Sequence, residues 1–138
     1  MKTLQLLVAL VLTCFISHAQ IDERIVDIYG NEKANEILTQ QPELIGYLNF
    51  YVENGFKILT DVPTDKLQSV KPIEQLHTDL ASATISELQS DFNILKYSSP
   101  REEEHAAIYR INNTDAVLIL TPKNEVMALY KSQKGGKL

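Results

Sequence analysis

The stretch that most constrains the fold is "AVLIL" (116–120), because it would be apolar on both faces of a strand. Side chains alternate across a strand, so Val117 and Ile119 fall on one face. Leu118 and Leu120 fall on the other. A strand of this kind is buried on both sides. The chain must therefore supply two covering layers or leave one face of the strand to another molecule.

The final third of the sequence has the pattern of an antiparallel three-strand meander. The runs "AAIYRI", "AVLIL" and "VMALYK" are apolar, and the turn-like stretches "NNTD" and "PKNE" separate them. In the third run the alternation again gives apolar side chains on both faces. Two earlier runs, "GFKILT" (55–60) and "DFNILKY" (91–97), predict two more strands.

The first part of the sequence predicts short helices. An apolar stripe in "IDERIVDIYG" indicates a helix that ends at Gly30, and Asn31 can cap a second helix over "EKANEILTQ". Pro42 suits the first turn of a third helix, "PELIGYLNFYVEN", which Gly55 ends. Further along, "TISE" (84–87) matches a capping box. The fold class predicted is α+β, with N-terminal short helices packed on an antiparallel sheet that includes the C-terminal three-strand meander.

The first nineteen residues have the composition of a secretory signal peptide. Lys2 gives a positive start, an apolar run follows over residues 4–16, and small residues stand three positions and one position before Gln20. The run is shorter than the roughly 20 residues that span a bilayer. Cleavage before Gln20 predicts an exported protein, periplasmic or secreted. Lipid attachment at Cys14 is an alternative route to the same export.

The remaining residues are expected to form a single α+β domain over 20–130, followed by a flexible basic tail over 131–138. The one Cys of the chain lies in the predicted signal, which excludes thiolate catalysis and Cys-ligated metals in the mature protein. A formal net charge of −5 and the lack of a basic stripe argue against a nucleic-acid partner. No apolar run after the signal is long enough for a transmembrane segment.

Two Glu-x-x-His sequences are the candidates for a metal site. Glu74 and His77 in "EQLH", and Glu102 and His105 in "REEEH", have the i, i+3 spacing of ligand pairs on a helix. Pro72 precedes the first pair and strand-like residues follow the second at once, so a solvated loop with surface histidines is favoured and no metal ligand is assigned. If the pairs converged, they would support the alternative function, a small metal-dependent or acid–base hydrolase.

No catalytic residue is assigned from the sequence. It has no Gly-x-Ser-x-Gly elbow and no glycine cluster that could wrap a phosphate. The remaining candidates are the aromatic residues Tyr47, Phe50 and Tyr51. Aromatic residues at helical spacing usually belong to the core. These three spread around most of the predicted helix, however, so an outward-facing member would mark an interaction site.

The signal ending before Gln20, "FNILKY" and "YRINNTDAVLIL" together resemble uncharacterised small secreted proteins of Bacteroidota bacteria. The resemblance covers the signal and about the last third of the chain. It implies export from a Gram-negative cell and implies no particular activity or cofactor.

The leading functional expectation is a secreted or periplasmic non-enzymatic protein with a binding or structural accessory role. Its partner would be another protein or a second copy of the chain, and no cofactor is assigned. This expectation depends on the two-sided apolarity of "AVLIL" (116–120) and "VMALY" (126–130). A further possibility is a binder of small apolar ligands, held between the helices and the sheet.

Overall fold

The computed structural model of the chain describes residues 20–97 and 105–135. The predicted signal peptide with Cys14, the acidic residue Glu102 and the last residues of the predicted tail lie outside the described residues. The described helices are α1 Glu23–Gln40, α2 Pro42–Asn54, α3 Thr64–Leu67, α4 Ile85–Asp91, α5 Ile94–Tyr97 and α6 Lys123–Gln133. The described strands are β1 Phe56–Leu59, β2 Lys71–Pro72, β3 Ala107–Arg110 and β4 Val117–Leu120. No described helix has the length and apolarity needed to cross a membrane.

The protein has a mixed α+β fold, as the sequence predicts. The four strands form one sheet in the order β1-β4-β3-β2. Strand β4 pairs antiparallel with β1 on one side and with β3 on the other, whereas β2 runs parallel to β3. The strand predicted from "AVLIL" is therefore a central strand of the sheet, and "GFKILT" supplies its neighbour β1. The sheet is mixed rather than wholly antiparallel.

The predicted third strand of the meander is wrong, because "VMALYK" lies within helix α6. Pro122 immediately precedes the helix, a position that proline tolerates because it removes no intrahelical hydrogen bond there. Val126 and Tyr130 are the buried residues of α6. They are four positions apart, which is one helical turn and also an even number of strand positions. Val126 and Tyr130 would therefore lie on the same face in a strand as well as in a helix.

The strand predicted over "DFNILKY" is also wrong. Its first residue ends α4, and the short helix α5 spans Ile94–Tyr97. Asn93 is the reason for the turn, because its side-chain oxygen accepts a hydrogen bond from the Leu95 N–H at 3.1 Å. Its amide nitrogen donates to the Arg24 carbonyl of α1 at 2.8 Å. A side chain that satisfies the first N–H groups of a helix competes with strand pairing.

The residues predicted to begin, end or cap helices have these roles in the structure. Gly30 has φ 76° and ψ 159°, which are not helical values, so α1 consists of the two predicted helical segments joined by a kink at Gly30. Pro42 is the first residue of α2, and Gly55 is its C-cap. At α4 both hydrogen bonds of the capping box are present: the Glu87 N–H donates to the Thr84 hydroxyl, and the Thr84 N–H donates to the Glu87 carboxylate.

The inner face of the sheet packs against the main hydrophobic core. Directly paired residues of neighbouring strands share a face, and the register aligns Ile58, Leu118 and Tyr109 across β1, β4 and β3. Leu118 is fully buried in this core together with helix residues such as Ile25 and Ile45. Residues of α1 and α2 thus cover this inner face of the sheet.

Helix α6 attaches the C-terminal end of the chain to α2. It extends through Gln133, three residues past the predicted domain end at 130. Lys134 then contacts Glu43 of α2, with 2.9 Å between Nζ and Oε2. The nearby Tyr130 hydroxyl, and after it Glu43, raise the pKa of the Lys134 ammonium. The start of the predicted tail is therefore part of the folded domain.

Candidate functional site

The outer face of the sheet, away from the main core, is the candidate site. Leu59 of β1 pairs with Val117 of β4, and Ile108 of β3 pairs with Ile119 of β4. Because directly paired residues share a face and alternate residues of a strand share a face, these four side chains lie together. We call these four side chains, together with Lys57 of β1 and Arg110 of β3, the outer face.

The outer face is only partly covered. Leu59 is 53% exposed and Ile108 is 44% exposed, while Ile119, on β4 between β1 and β3, is half-buried. None of these three belongs to the main core or to the partly buried residues packed against it. Val117 is buried, also outside the main core. Val117 is therefore covered, whereas Leu59 and Ile108 on the neighbouring strands are open.

Helix α3 lies beside the covered end. A surface cleft of about 580 Å³ is lined by Leu67 of α3 together with Arg110 of β3. Leu67, like Val117, is buried without being part of the main core. The Val62 N–H of the preceding loop donates to the Asp115 carbonyl at 2.9 Å, which holds this segment against the start of β4. The middle segment of the chain thus lies on the Arg110 side of the face and leaves Leu59 and Ile108 exposed.

Two cations belong to the same face. Lys57 pairs with Ile119 and Arg110 pairs with Val117, so the cations stand at opposite corners of the apolar group. Among residues 20–97 and 105–135 neither side chain has an ion pair or a hydrogen bond. An exposed apolar group with unpaired cations at its corners has the composition of a binding surface rather than of a folding core.

The aromatic residues predicted as interaction candidates lie between α2 and α6. Tyr51 is 3% exposed and belongs to the main core. Tyr47 and Phe50 are half-buried, with ring centroids 5.6 Å and 5.4 Å from that of Tyr130. Burial raises the pKa of the Tyr47 hydroxyl. These contacts give Tyr47 and Phe50 a packing role in joining α2 to α6, while Tyr51 packs in the main core.

The metal candidates do not converge in the described part of the chain. Glu74 accepts a hydrogen bond from the Asn112 amide. His77 uses its ring Nδ1 to accept the Asp79 N–H at 3.3 Å, and His105 is exposed just before β3. No group of three or more His, Cys, Asp or Glu residues that could hold a metal ion occurs among the described residues. Glu74, His77 and His105 therefore do not share one ion.

A second cleft, of about 640 Å³, opens at the N-terminus of α1 and is lined largely by polar side chains. Its one arginine, Arg24, is already engaged. Its guanidinium donates to both Asp22 oxygens, at 2.9 and 2.8 Å, and to the Val52 carbonyl at 2.7 Å. The hydrogen bonds from Arg24 hold the pKa of Asp22 below its usual value. This network fixes the start of α1 onto α2.

Sequence reasoning missed Lys57, Leu59, Ile108 and Arg110 as site residues. A weak signal was present, since "K-I-L" in β1 and "I-Y-R" in β3 each place one cation and one aliphatic residue on the same strand face. The pattern becomes informative only when the register shows that both strands flank β4 on the same sheet.

Comparisons with known proteins found no similar protein. No family model matches the chain, and no curated protein or solved structure matches it.

Proposed function

We propose that this chain is an exported, non-enzymatic binding protein that contacts a protein partner through the outer face of its sheet. The observation that carries the proposal is the exposure of Leu59 and Ile108 on either side of Ile119. Single exposed apolar residues are ordinary on protein surfaces. Ile108 pairs directly with Ile119, and Leu59 lies diagonally across from Ile119 on the same face, so the three form a contiguous group; such groups mark interaction sites.

The energetics of the outer face support a role outside folding. Leu59, Ile108 and Ile119 make no part of the main core, so their burial contributes little to the stability of the isolated chain. Fully burying an aliphatic side chain is favourable by about 1.5–3 kcal/mol relative to leaving it exposed. Covering these residues with a partner recovers part of that free energy on binding.

The proposed location, outside the cytoplasm, rests on the signal-like residues 1–19 and on the resemblance to secreted Bacteroidota proteins. It is tested by expressing the full chain in a Gram-negative host and measuring the intact mass of the protein in the periplasm or medium. We expect a chain that starts at Gln20. A protein that keeps residues 1–19 in the cytoplasmic fraction would contradict export.

Binding is tested by site-specific photo-crosslinking in the cells that make the protein. A photo-reactive residue replaces Leu59 or Ile108 on the outer face, or Leu129 on α6. Leu129 is the matched control because it is an equally exposed leucine, at 51%. We expect discrete protein adducts from positions 59 and 108, and their loss when Ile119→Asp is added. Adducts of equal yield from position 129, or none from the outer face, would refute the proposal.

A further inference from the structure

We infer that the partner contributes an acidic amphipathic helix, with two carboxylates spaced about two turns apart that meet Lys57 and Arg110. The inference rests on the proposed function and specifies the chemistry of the ligand of the outer face. Three observations lead to it: the pairing of the sheet backbone, the position of the two cations, and the distance between them.

The pairing of the sheet favours a helical ligand over an extended one. Strand β4 is hydrogen-bonded on both sides, to β1 and to β3, so the centre of the face has no free backbone donors or acceptors. An extended peptide needs such groups and adds to a sheet edge instead. A helix satisfies its own backbone and can bury an apolar stripe against a sheet face. The inner face of this sheet is covered by helices in the same way.

The cations select a partner with carboxylates. Lys57 and Arg110 have no partner among the described residues, and burying an unpaired cation is strongly unfavourable. Asp115 lines the same cleft as Arg110 but forms no ion pair with it. A second copy of the outer face would bring four cations together and supply no carboxylate. A partner with acidic residues would neutralise both corners.

The register sets the spacing of those carboxylates. Lys57 and Arg110 stand two strands apart and two residues apart along the strands. With about 4.8 Å between strands and about 3.4 Å per residue, their Cα atoms are roughly 12 Å apart. A helix rises 1.5 Å per residue, so carboxylates at positions i and i+7 or i+8 span about the same distance. Aliphatic residues at i+3 and i+4 would then contact Ile119, between Leu59 and Ile108.

The test pans a displayed library of helix-forming 18-residue peptides, randomised at all surface positions, against the chain from Gln20 to Leu138. Counter-panning uses the charge-reversed variant K57E/R110E. Circular dichroism checks that this variant is folded, and K57Q/R110Q replaces it if it is not. K131E is the matched control, because Lys131 is an exposed cation on α6 away from the sheet.

We expect enriched peptides with Asp or Glu seven or eight positions apart around an aliphatic pair. Each of K57Q and R110Q should weaken such a peptide about tenfold, and K131E should change its affinity less than twofold.

The outcomes separate the inference from the proposed function. Enriched peptides that need Ile108 and Ile119 but carry no acidic pattern would overturn the inference and leave the binding face in place. A library with no binder that depends on the outer face would overturn both. Light scattering that shows a dimer dissociated by Ile108→Asp would identify a second copy as the occupant and also overturn the inference.

Discussion

Replacing Gly46 of α2 by alanine probes the joint between α2 and α6. A Cβ at this position would lie 2.6 Å from the Tyr130 hydroxyl oxygen, far inside a normal contact, whereas the Cζ of the same ring would be 3.8 Å away. The hydroxyl cannot swing aside freely, because Tyr130 is 7% exposed and its ring is held between Tyr47 and Phe50. We therefore expect Gly46→Ala to shift α6 or the ring, and to destabilise the protein.

The magnitude follows from two opposing effects. Forcing an extra methyl into a packed contact costs about 1–3 kcal/mol. Alanine in place of a mid-helix glycine is favourable by about 0.5–1 kcal/mol. The net loss in the free energy of unfolding is then roughly 1 kcal/mol. In a Tyr130→Phe background the oxygen is absent, so the contact becomes ordinary and only the favourable helix effect remains. The same substitution should then stabilise the protein, with a coupling between the two sites of about 2 kcal/mol.

The assay is urea unfolding of the wild type, both single variants and the double variant, followed by far-UV circular dichroism. Gly30→Ala in both Tyr130 backgrounds is the control. Its Cβ would meet nothing within 4 Å, and its cost, about 1–3 kcal/mol, comes from the positive φ of 76° alone. That cost should be the same with Tyr or Phe at position 130. If Gly46→Ala also costs the same in both backgrounds, the contact with the hydroxyl is not the source and the reasoning fails.

Two further predictions concern the capping residues. Asp22→Asn keeps a cap for α1 but loses the ion pair with Arg24, so we expect unfolding at pH 7 to require about 1 kcal/mol less. Folding lowers the pKa of Asp22, so its contribution is present above the unfolded-state pKa of about 4 and is lost as the pH falls through the folded-state pKa. The difference in urea midpoint between the two proteins should therefore be smaller at pH 2 than at pH 7. Thr84→Ala removes the capping box of α4 and should cost about 1 kcal/mol by the same assay. Thr39→Ala, at an exposed position inside α1, should be neutral or slightly stabilising, and equal losses for the two threonines would contradict a capping role.

The elements that sequence reasoning predicts correctly are those fixed by local chemistry. Gly30 bends α1, Pro42 starts α2, and Thr84 caps α4, because each residue acts on its own backbone or on that of its near neighbours. The strand around Leu118 is also predictable, since an apolar run on both faces needs a central place in a sheet.

The errors arise where two periodicities fit the same residues. Val126 and Tyr130 suit a strand and a helix equally, and the packing partners that decide between them, Tyr47 and Phe50, lie far away in the sequence. The candidate site could not be predicted from the sequence for a related reason. Leu59 and Ile108 become neighbours only through the register of β4 between them, which no local pattern specifies.

The position of β4 has a consequence for when the chain can fold during synthesis. Strands β1 and β3 do not pair with each other. Both pair with β4, which is the last of the described strands to leave the ribosome. Helix α6, which closes the core against α2, is made later still. Domains usually begin to fold as they emerge, but the pairing of this sheet has to wait until β4, at Val117–Leu120, has been translated. Such a delay keeps the nascent chain in the unfolded form that a translocation channel accepts, which suits the export proposed above.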